Sequence, residues 1–322
     1  MPLPYMGSKR KLAKDIYQVI SSNSNTNILV DPFCGGFAVS EEFLKHGWDV
    51  YASDINKYIV ALLRAILFGD DWLNKQLAKP DFITREKFFD ITRNPDKYDD
   101  CVVGYVQCIW SFGNNGKEYL YGKQVEDIKH ITHNYVINGD EKQFKEMLKV
   151  ENISIPNELF PKMAEIPLSD WFTRRRLLQG TARKLYRKYK ELEHLQRIGR
   201  LKNMCLQHLE RLSNLENMLG NNIKQLETKQ YKDAVIPNGA VVYCDPPYAN
   251  TTKYVTGEFN SKEFWAWADE VSRTNPVYVS EYTAPDLAGW KSVLNIEMNV
   301  TLGTDNNKKS MEHLFYKFKG GE

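Results

Sequence analysis

The residues with the greatest chemical promise lie late in the chain. Asp245-Pro246-Pro247-Tyr248 follows the compact apolar run Ala240 to Cys244. Two consecutive prolines lock an extended turn directly after a buried strand, so the groups around them are held rigidly. The Asp245 carboxylate and the Pro246 carbonyl are both hydrogen-bond acceptors. Together they can take the two N–H bonds of an exocyclic amine and leave the nitrogen lone pair aimed at a methyl donor. Tyr248 offers a face on which a base swung out of its stack can rest. An acid-capped, Pro-rich turn is the bland alternative; the apolar strand before it and the acids upstream favour the chemical reading.

Two of those acids end strands of their own. Asp31 closes the apolar run Ile28-Leu29-Val30 and opens the turn Asp31-Pro32-Phe33-Cys34-Gly35-Gly36, where glycine lets backbone approach a ligand closely. Asp54 comes 23 residues later, after the strand Asp49 to Ala52. That spacing suits a carboxylate gripping the two hydroxyls of an adenosine ribose. Ligands of open parallel sheets bind beyond the carboxyl ends of the strands, where both acids fall. The patterns Gly-x-Gly-x-x-Gly and Gly-x-x-x-x-Gly-Lys-Ser/Thr are both absent. A nucleoside without a pyrophosphate therefore fits better than a dinucleotide or nucleoside triphosphate.

The elements that must position these residues alternate. Lys11 to Ile20 reads as an amphipathic helix, with Leu12, Ile16 and Val19/Ile20 on one face. Strand 28–30, helix Ala38 to Lys45, strand 49–52 and helix Tyr58 to Phe68 then form a βαβα unit of the kind that builds a parallel sheet. Alternation resumes with the strand 240–244, a helix Ser261 to Val271, a strand Val277 to Ser280 and a last strand from Leu314 to Phe318. The two α/β portions need each other to complete one sheet. The expected fold is α/β, with a discontinuous catalytic domain of residues 1–85 and 233–322 and an insertion of residues 86–232. Within the insertion a polar stretch runs from Thr132 to Asp140, and Leu192, Leu195, Ile198 and Leu201, then Leu206, Leu209, Leu212 and Leu215, recur every three residues. That spacing drifts round a helix and predicts packed helices rather than a coiled coil.

Charge marks the insertion as different. The whole chain has a formal net charge of +2, yet Trp171 to Lys232 holds fifteen Lys and Arg against five Asp and Glu, leaving −8 on the remainder. A basic segment in an otherwise acidic protein suggests a polyanionic partner. The candidate contacts are Arg174, Arg175, Arg176, Arg183, Lys184, Arg187 and Lys188, with Tyr186 and Tyr189 interleaved. The loop Asn114-Asn115-Gly116-Lys117 is a second candidate, since a polar loop can enter a groove. The five cysteines form no Cys-x-x-Cys pair, which argues against a zinc site or a disulfide framework. The six histidines lack metal-ligand spacing and read as surface residues. No apolar run approaches membrane-spanning length, and a reducing, cytosolic setting follows.

In this order the motifs resemble those of the Dam-like family of site-specific DNA adenine-N6 methyltransferases. Pro4-Tyr5-Met6-Gly7-Ser8-Lys9 resembles the family's N-terminal cofactor segment. Asp31-Pro32-Phe33-Cys34-Gly35-Gly36 resembles its Gly-containing loop, Ser53-Asp54-Ile55-Asn56 its ribose-binding acid, and Asp245-Pro246-Pro247-Tyr248 its catalytic tetrapeptide. The resemblance covers most of the chain. It implies a Rossmann-like fold that binds S-adenosylmethionine and releases S-adenosylhomocysteine, in a bacterial or phage-infected cell. It further implies that Tyr5, Met6 and Gly7 lie by the cofactor with Asp31 near its methionine amine. Phe33 and Gly35 would pack along it, Asp54 would hold the ribose, and Ile55 would touch the adenine ring. Lys9 would sit near the target base or the adjoining phosphate. By this resemblance the insertion takes the place of the target-recognition domain and would read double-stranded DNA. Phe37 departs from the pattern, standing where relatives often carry a second glycine. An RNA adenine or cytosine-N4 methyltransferase, or a catalytically silent DNA-binding module of the same fold, would share part of this pattern; motif order and an intact tetrapeptide favour the DNA adenine enzyme.

Overall fold

The computed structural model describes residues 3, 8–190, 192–215, 222–247, 259–283, 287–299 and 309–320. The chain divides into two compact units: one comprises Gly7–Val60 with Arg211–Glu322, the other chiefly Ala61–Glu210. Both breaks fall inside helices.

The first unit is built on one seven-stranded sheet. In chain order its elements are α1 (Ala13–Ser22), β1 (Ile28–Asp31), α2 (Ala38–Lys45), β2 (Asp49–Asp54) and the start of α3 (Lys57–Phe68). After the helical unit follow β3 (Ile223–Thr228), β4 (Val241–Cys244), a helix Ser261–Val271, and the strands β5 (Val277–Glu281), β6 (Lys291–Asn299) and β7 (Lys309–Lys317). The strand order is β3-β2-β1-β4-β5-β7-β6. All pairings are parallel except those of β7, which runs antiparallel to β5 and β6. This is the Rossmann-like α/β arrangement that the resemblance implies.

The chain leaves β1 toward β2 on one side, while β4 and β5 lie on the other. The order therefore switches between β1 and β4, which is where doubly wound sheets open a ligand crevice. Beneath that crevice Val30, Val242, Cys244, Val277, Val279, Phe264, Ala268 and Phe315 pack into one apolar cluster. Each such side chain contributes about 1.5–3 kcal/mol on burial, so the strand ends above it are rigidly placed.

Three strand features differ from expectation. β3 falls inside the segment 86–232 that reads as insertion, yet it pairs in parallel with β2. Of its residues Ile223 and Leu226 alone are buried, too weak an apolar pattern to mark an edge strand. β6 carries no sequence prediction at all; Lys291, Ser292, Val293, Asn295 and Glu297 are exposed or only partly covered, and an outer strand needs no alternating apolar face. β7 begins five residues before the apolar run Leu314 to Phe318, because its polar start is recruited by pairing with β6.

The second unit is helical. It contains most of α3, then α4 (Asp71–Ala78), α5 (Arg85–Arg93), α6 (Asp100–Trp110), α7 (Lys123–Asn138), α8 (Glu141–Val150), α9 (Leu159–Glu165), α10 (Trp171–Thr181), α11 (Arg183–Tyr189) and most of α12 (Glu193–Leu215). Its N-caps follow ordinary chemistry: Asp70, Thr84, Asp140 and Asp170 each accept a backbone N–H from the first turn they precede. The polar stretch 132–140 is the end of α7 and the turn after it. Two of its polar residues are buried with partners: Thr132 donates to the Ile128 carbonyl at 2.6 Å, and His133 Nδ1 meets His194 Nε2 at 2.9 Å. Polar composition hid a helix whose hydrogen bonds are internal.

Buried arginines fasten this unit together. Helix C-termini leave orphan carbonyls and a partial negative charge. Arg174 Nε donates to the Val136 carbonyl at 2.7 Å and Nη2 to the Tyr135 carbonyl at 3.0 Å, both in the last turn of α7. Its Nη1 reaches the Met163 and Ile166 carbonyls at the end of α9. Arg197 does the same for α6, with Nη1 on the Cys108, Ile109 and Ser111 carbonyls. Replacing Arg174 by Met is expected to destabilise the protein by about 3 kcal/mol, since several buried carbonyls lose a charged donor. The same change at exposed Arg176 is expected to cost under about 0.5 kcal/mol. Equal urea midpoints for the two variants would contradict this division of roles.

Candidate active site

Three carboxylates stand at three adjacent strand ends. Asp31 is the last residue of β1, Asp54 the last of β2, and Asp245 follows the last residue of β4. Asp31 is buried, and its Oδ2 accepts from Ser40 Oγ at 2.6 Å. Burial pushes its pKa from the ordinary 3.8 to about 7; the Ser40 hydroxyl opposes that rise, and the charges of Asp245 and Asp54 add to it. Asp54 is likewise raised by burial, against the pull of two backbone N–H groups. Those groups are Gly35 N at 2.9 Å from Oδ2 and Asn56 N at 2.8 Å from Oδ1. Asp54 thus clamps the glycine loop to the end of the neighbouring strand.

The loop itself is tightly wound. Cys34 N donates to the Ser53 carbonyl at 3.0 Å, and Gly35 takes φ +42°. Phe37 adopts φ 66°, ψ 24° as the residue that starts α2. Such left-handed backbone costs a non-glycine residue about 1–2 kcal/mol, a strain that glycine would avoid. Here the ring is buried, at 2 % exposure. Burying a Phe contributes about 1.5–3 kcal/mol, so packing offsets the strain. Phe33, half-buried, stacks on Tyr231 with ring centroids 5.4 Å apart and meets Phe264 edge-on at 5.5 Å. Ile55, next to Asp54, is 47 % exposed.

The turn that follows β4 is partly buried. Pro246 is buried and Pro247 half-buried. Below them the Tyr243 hydroxyl and Ser280 Oγ lie 3.0 Å apart. Lys9, in a short helical turn Lys9–Lys11, places Nζ 2.7 Å from Asp245 Oδ1 and 3.4 Å from Glu312 Oε1. Cys34 and Cys244 are buried thiols whose pKa values burial pushes up. Tyr5, Met6, Gly7 and Tyr248 lie outside the described residues. Ser40, Tyr231 and Glu312, which the sequence did not single out, contact Asp31, Phe33 and Lys9 respectively. Ser40 sits one helical turn after the glycine loop and had a legible signal; Glu312 is brought in by strand pairing and had none.

Over residues 5–275 the chain matches the family described as D12 class N6 adenine-specific DNA methyltransferases. The chain belongs to this family. It is a DNA methyltransferase that acts on the N6 of adenine, and it uses a methyl donor. No curated protein matches its sequence.

The methyltransferase's helical unit corrects two expected DNA contacts. Arg174 and Arg175 are buried, at 3 % and 8 % exposure, and the carbonyls they meet inside the unit explain why. Arg174 is the cap described above; Arg175 Nη2 donates to Gln179 Oε1 at 3.2 Å. Arg176, Arg183, Lys184, Arg187 and Lys188 are exposed. Asn115 is half-buried, and its Oδ1 accepts the Lys117 and Glu118 N–H groups at 2.9 and 3.1 Å, holding the loop in a turn. Exposed Lys117 projects from that turn, which borders a cleft of about 590 Å³ also lined by Phe112, Tyr119, Tyr121, Lys188 and Lys190. Phe112 is 62 % exposed.

Two histidines expected at the surface are buried as well. The Tyr121 hydroxyl lies 2.7 Å from His194 Nδ1, and His194 Nε2 contacts His133. Burial pushes His133 down to about 3 and His194 well below its usual range, so both are neutral. Among the described residues no three His, Cys, Asp or Glu side chains group as metal ligands, and no helix is long and apolar enough to cross a membrane.

Asp31 has a testable titration. A carboxyl whose folded pKa exceeds its unfolded value keeps its proton where the unfolded chain has lost it. Stability contributed by that protonated form is present below pH 3.8 and lost as pH rises to about 7. The stability of the wild-type protein relative to Asp31→Asn is therefore expected to fall across this window and level off above it. Denaturant titrations at several pH values would measure the difference; a flat difference would refute the raised pKa.

Proposed function

We propose that the methyl donor is S-adenosylmethionine, that Asp245 and Pro246 hold the target amine, and that the helical unit recognises double-stranded DNA. The observation that carries this reading is the set of acids Asp31, Asp54 and Asp245 at adjacent strand ends, the first two buried, with Asp31 held near pKa 7 by burial and by its two neighbours. An edge of this kind favours a positively charged ligand. S-adenosylmethionine fits that donor set through an amine, a sulfonium and a ribose diol.

Asp31 would face the amine. Each oxygen of Asp54 accepts one backbone N–H and retains a lone pair for a ribose hydroxyl. Ile55, with Phe33 and the Gly35 turn, would flank the adenosine, and Tyr5, Met6 and Gly7 complete the pocket on the strength of the motif alone. When bound, S-adenosylmethionine supplies a methyl group on a sulfonium that is already a good leaving group. The protein then contributes positioning and electrostatics. Asp245 and the Pro246 carbonyl accept the two N–H bonds of the target amine and orient its lone pair. Tyr248 supplies the stacking face. The buried, high-pKa thiols of Cys34 and Cys244 take no part.

Arg176, Arg183 and Lys184 are the residues we assign to DNA phosphates, with Asn115 and Lys117 on a loop suited to a groove. The surface of α10 and α11 then carries the polyanion contacts that the charge of the segment suggests, without the two arginines buried inside.

Asp245→Ala is expected to lower methyl transfer about a thousandfold or more while duplex binding persists. Transfer of labelled methyl from S-adenosylmethionine to duplex DNA, followed by nucleoside analysis, measures the first; fluorescence anisotropy measures the second. Parallel loss of both would remove Asp245 from the role assigned. Arg183→Gln with Lys184→Gln is expected to reduce the salt slope of duplex binding by about two, one for each phosphate contact. An unchanged slope would take this surface out of the interface.

A further inference from the structure

The Lys9 ammonium sits on the oxygen that the reaction needs. Its Nζ is 2.7 Å from Asp245 Oδ1, at hydrogen-bond distance, and 3.4 Å from Glu312 Oε1, within ion-pair range but long for a hydrogen bond. Lys9 and Glu312 are both buried, with side chains 7 % and 6 % exposed, whereas Asp245 is 20 % exposed. An amine bound by Asp245 competes with this ammonium for the carboxylate. A buried ammonium that simply loses its partner is strongly disfavoured, so a productive site needs somewhere for the Lys9 charge to go.

Glu312 meets that need. It lies on β7, opposite Ile296 of β6, and the antiparallel insertion of β7 beside β5 brings it to the edge where β4 ends. A small movement of Nζ turns the 3.4 Å contact into a full hydrogen bond. The ammonium has three donors, so it can pass from Asp245 to Glu312 without leaving a charge unmatched. The geometry points to Glu312 as a positioning residue for methyl transfer: it draws Lys9 off Asp245 when the target amine enters, freeing the carboxylate to orient that amine. This assignment rests on the role given above to Asp245. It gives Lys9 a function inside the site, as an occupant of the amine position that yields to substrate.

The consequence is a particular pattern of non-additivity. In Glu312→Gln the ammonium loses the anion of the 3.4 Å contact and is expected to stay on Asp245. The kcat is expected to fall about 10- to 100-fold, the scale of one hydrogen bond to a charged group, with thermal midpoint and duplex binding near wild type. Adding Lys9→Gln removes the competing charge, so the double variant is expected to be faster than Glu312→Gln alone. In the Lys9→Gln background Glu312→Gln is expected to have no further effect on kcat. A structural role for Glu312 would instead give losses that accumulate.

The four proteins of this cycle would be compared by steady-state methyl transfer from S-adenosylmethionine to a duplex oligonucleotide, alongside Asp245→Ala. Recovery of kcat in the double variant supports the exchange. Wild-type kcat in Glu312→Gln, or a double variant no faster than Glu312→Gln, overturns it. If Glu312→Gln does not fold, the comparison of Lys9→Gln with the double variant decides, and a clear further loss there overturns the proposal. Should Asp245→Ala retain activity, the role of Asp245 falls first; should it be inactive while Glu312→Gln is unimpaired, the exchange alone falls.

Discussion

The arrangement at the edge where β1, β2 and β4 end follows from the cost of bringing like charges together. β1, β2 and β4 deliver three carboxylates to neighbouring strand ends over an apolar floor. Left alone, such groups would repel one another and take up protons, and Asp31 goes some way toward doing so. The surrounding donors limit the rise. Ser40 serves Asp31, the Gly35 and Asn56 amides serve Asp54, and Lys9 serves Asp245. Each acid is held in place by a group from a different part of the chain. The same residual excess of negative charge is what supports the proposal that a cationic methyl donor binds at this edge.

The helical unit solves the opposite problem with the opposite charge. Its helices end against one another, and their terminal carbonyls would be buried without donors. Arg174 and Arg197 supply those donors and their charges complement the helix ends. A guanidinium suits this task because its planar fork spans several carbonyls at once. The cations of a basic segment thus divide between fastening helices and facing solvent, and a charge count cannot tell the two apart.

Legibility varied with how local each feature was. The helix Ala38–Lys45 was predicted to the residue, and the strands carrying Asp31 and Asp54 to within a residue or two, because a buried parallel strand needs an uninterrupted apolar run. The site acids were legible for the same reason: each terminates such a run. β3 and β6 were not, since edge strands bury few side chains. α7 was disguised by its polar residues, of which Thr132 bonds within the helix and His133 meets His194 on α12. His133 and His194 read as surface residues because nothing in their own neighbourhood reveals that each satisfies the other.

By itself the sequence determined the order of the motifs, the α/β class, the three acids and the rigid turn that holds Asp245. These depend on short-range rules: strand periodicity, the restricted backbone of proline, the freedom of glycine. The tertiary structure alone decided which cations are buried, that Ser40 and Glu312 join the site, and that Lys9 rests on Asp245. Those facts depend on pairings between residues far apart in the chain. Lys9 and Glu312 meet because β7 runs antiparallel beside β5 and carries its polar start back to the strand ends, an arrangement no local pattern encodes.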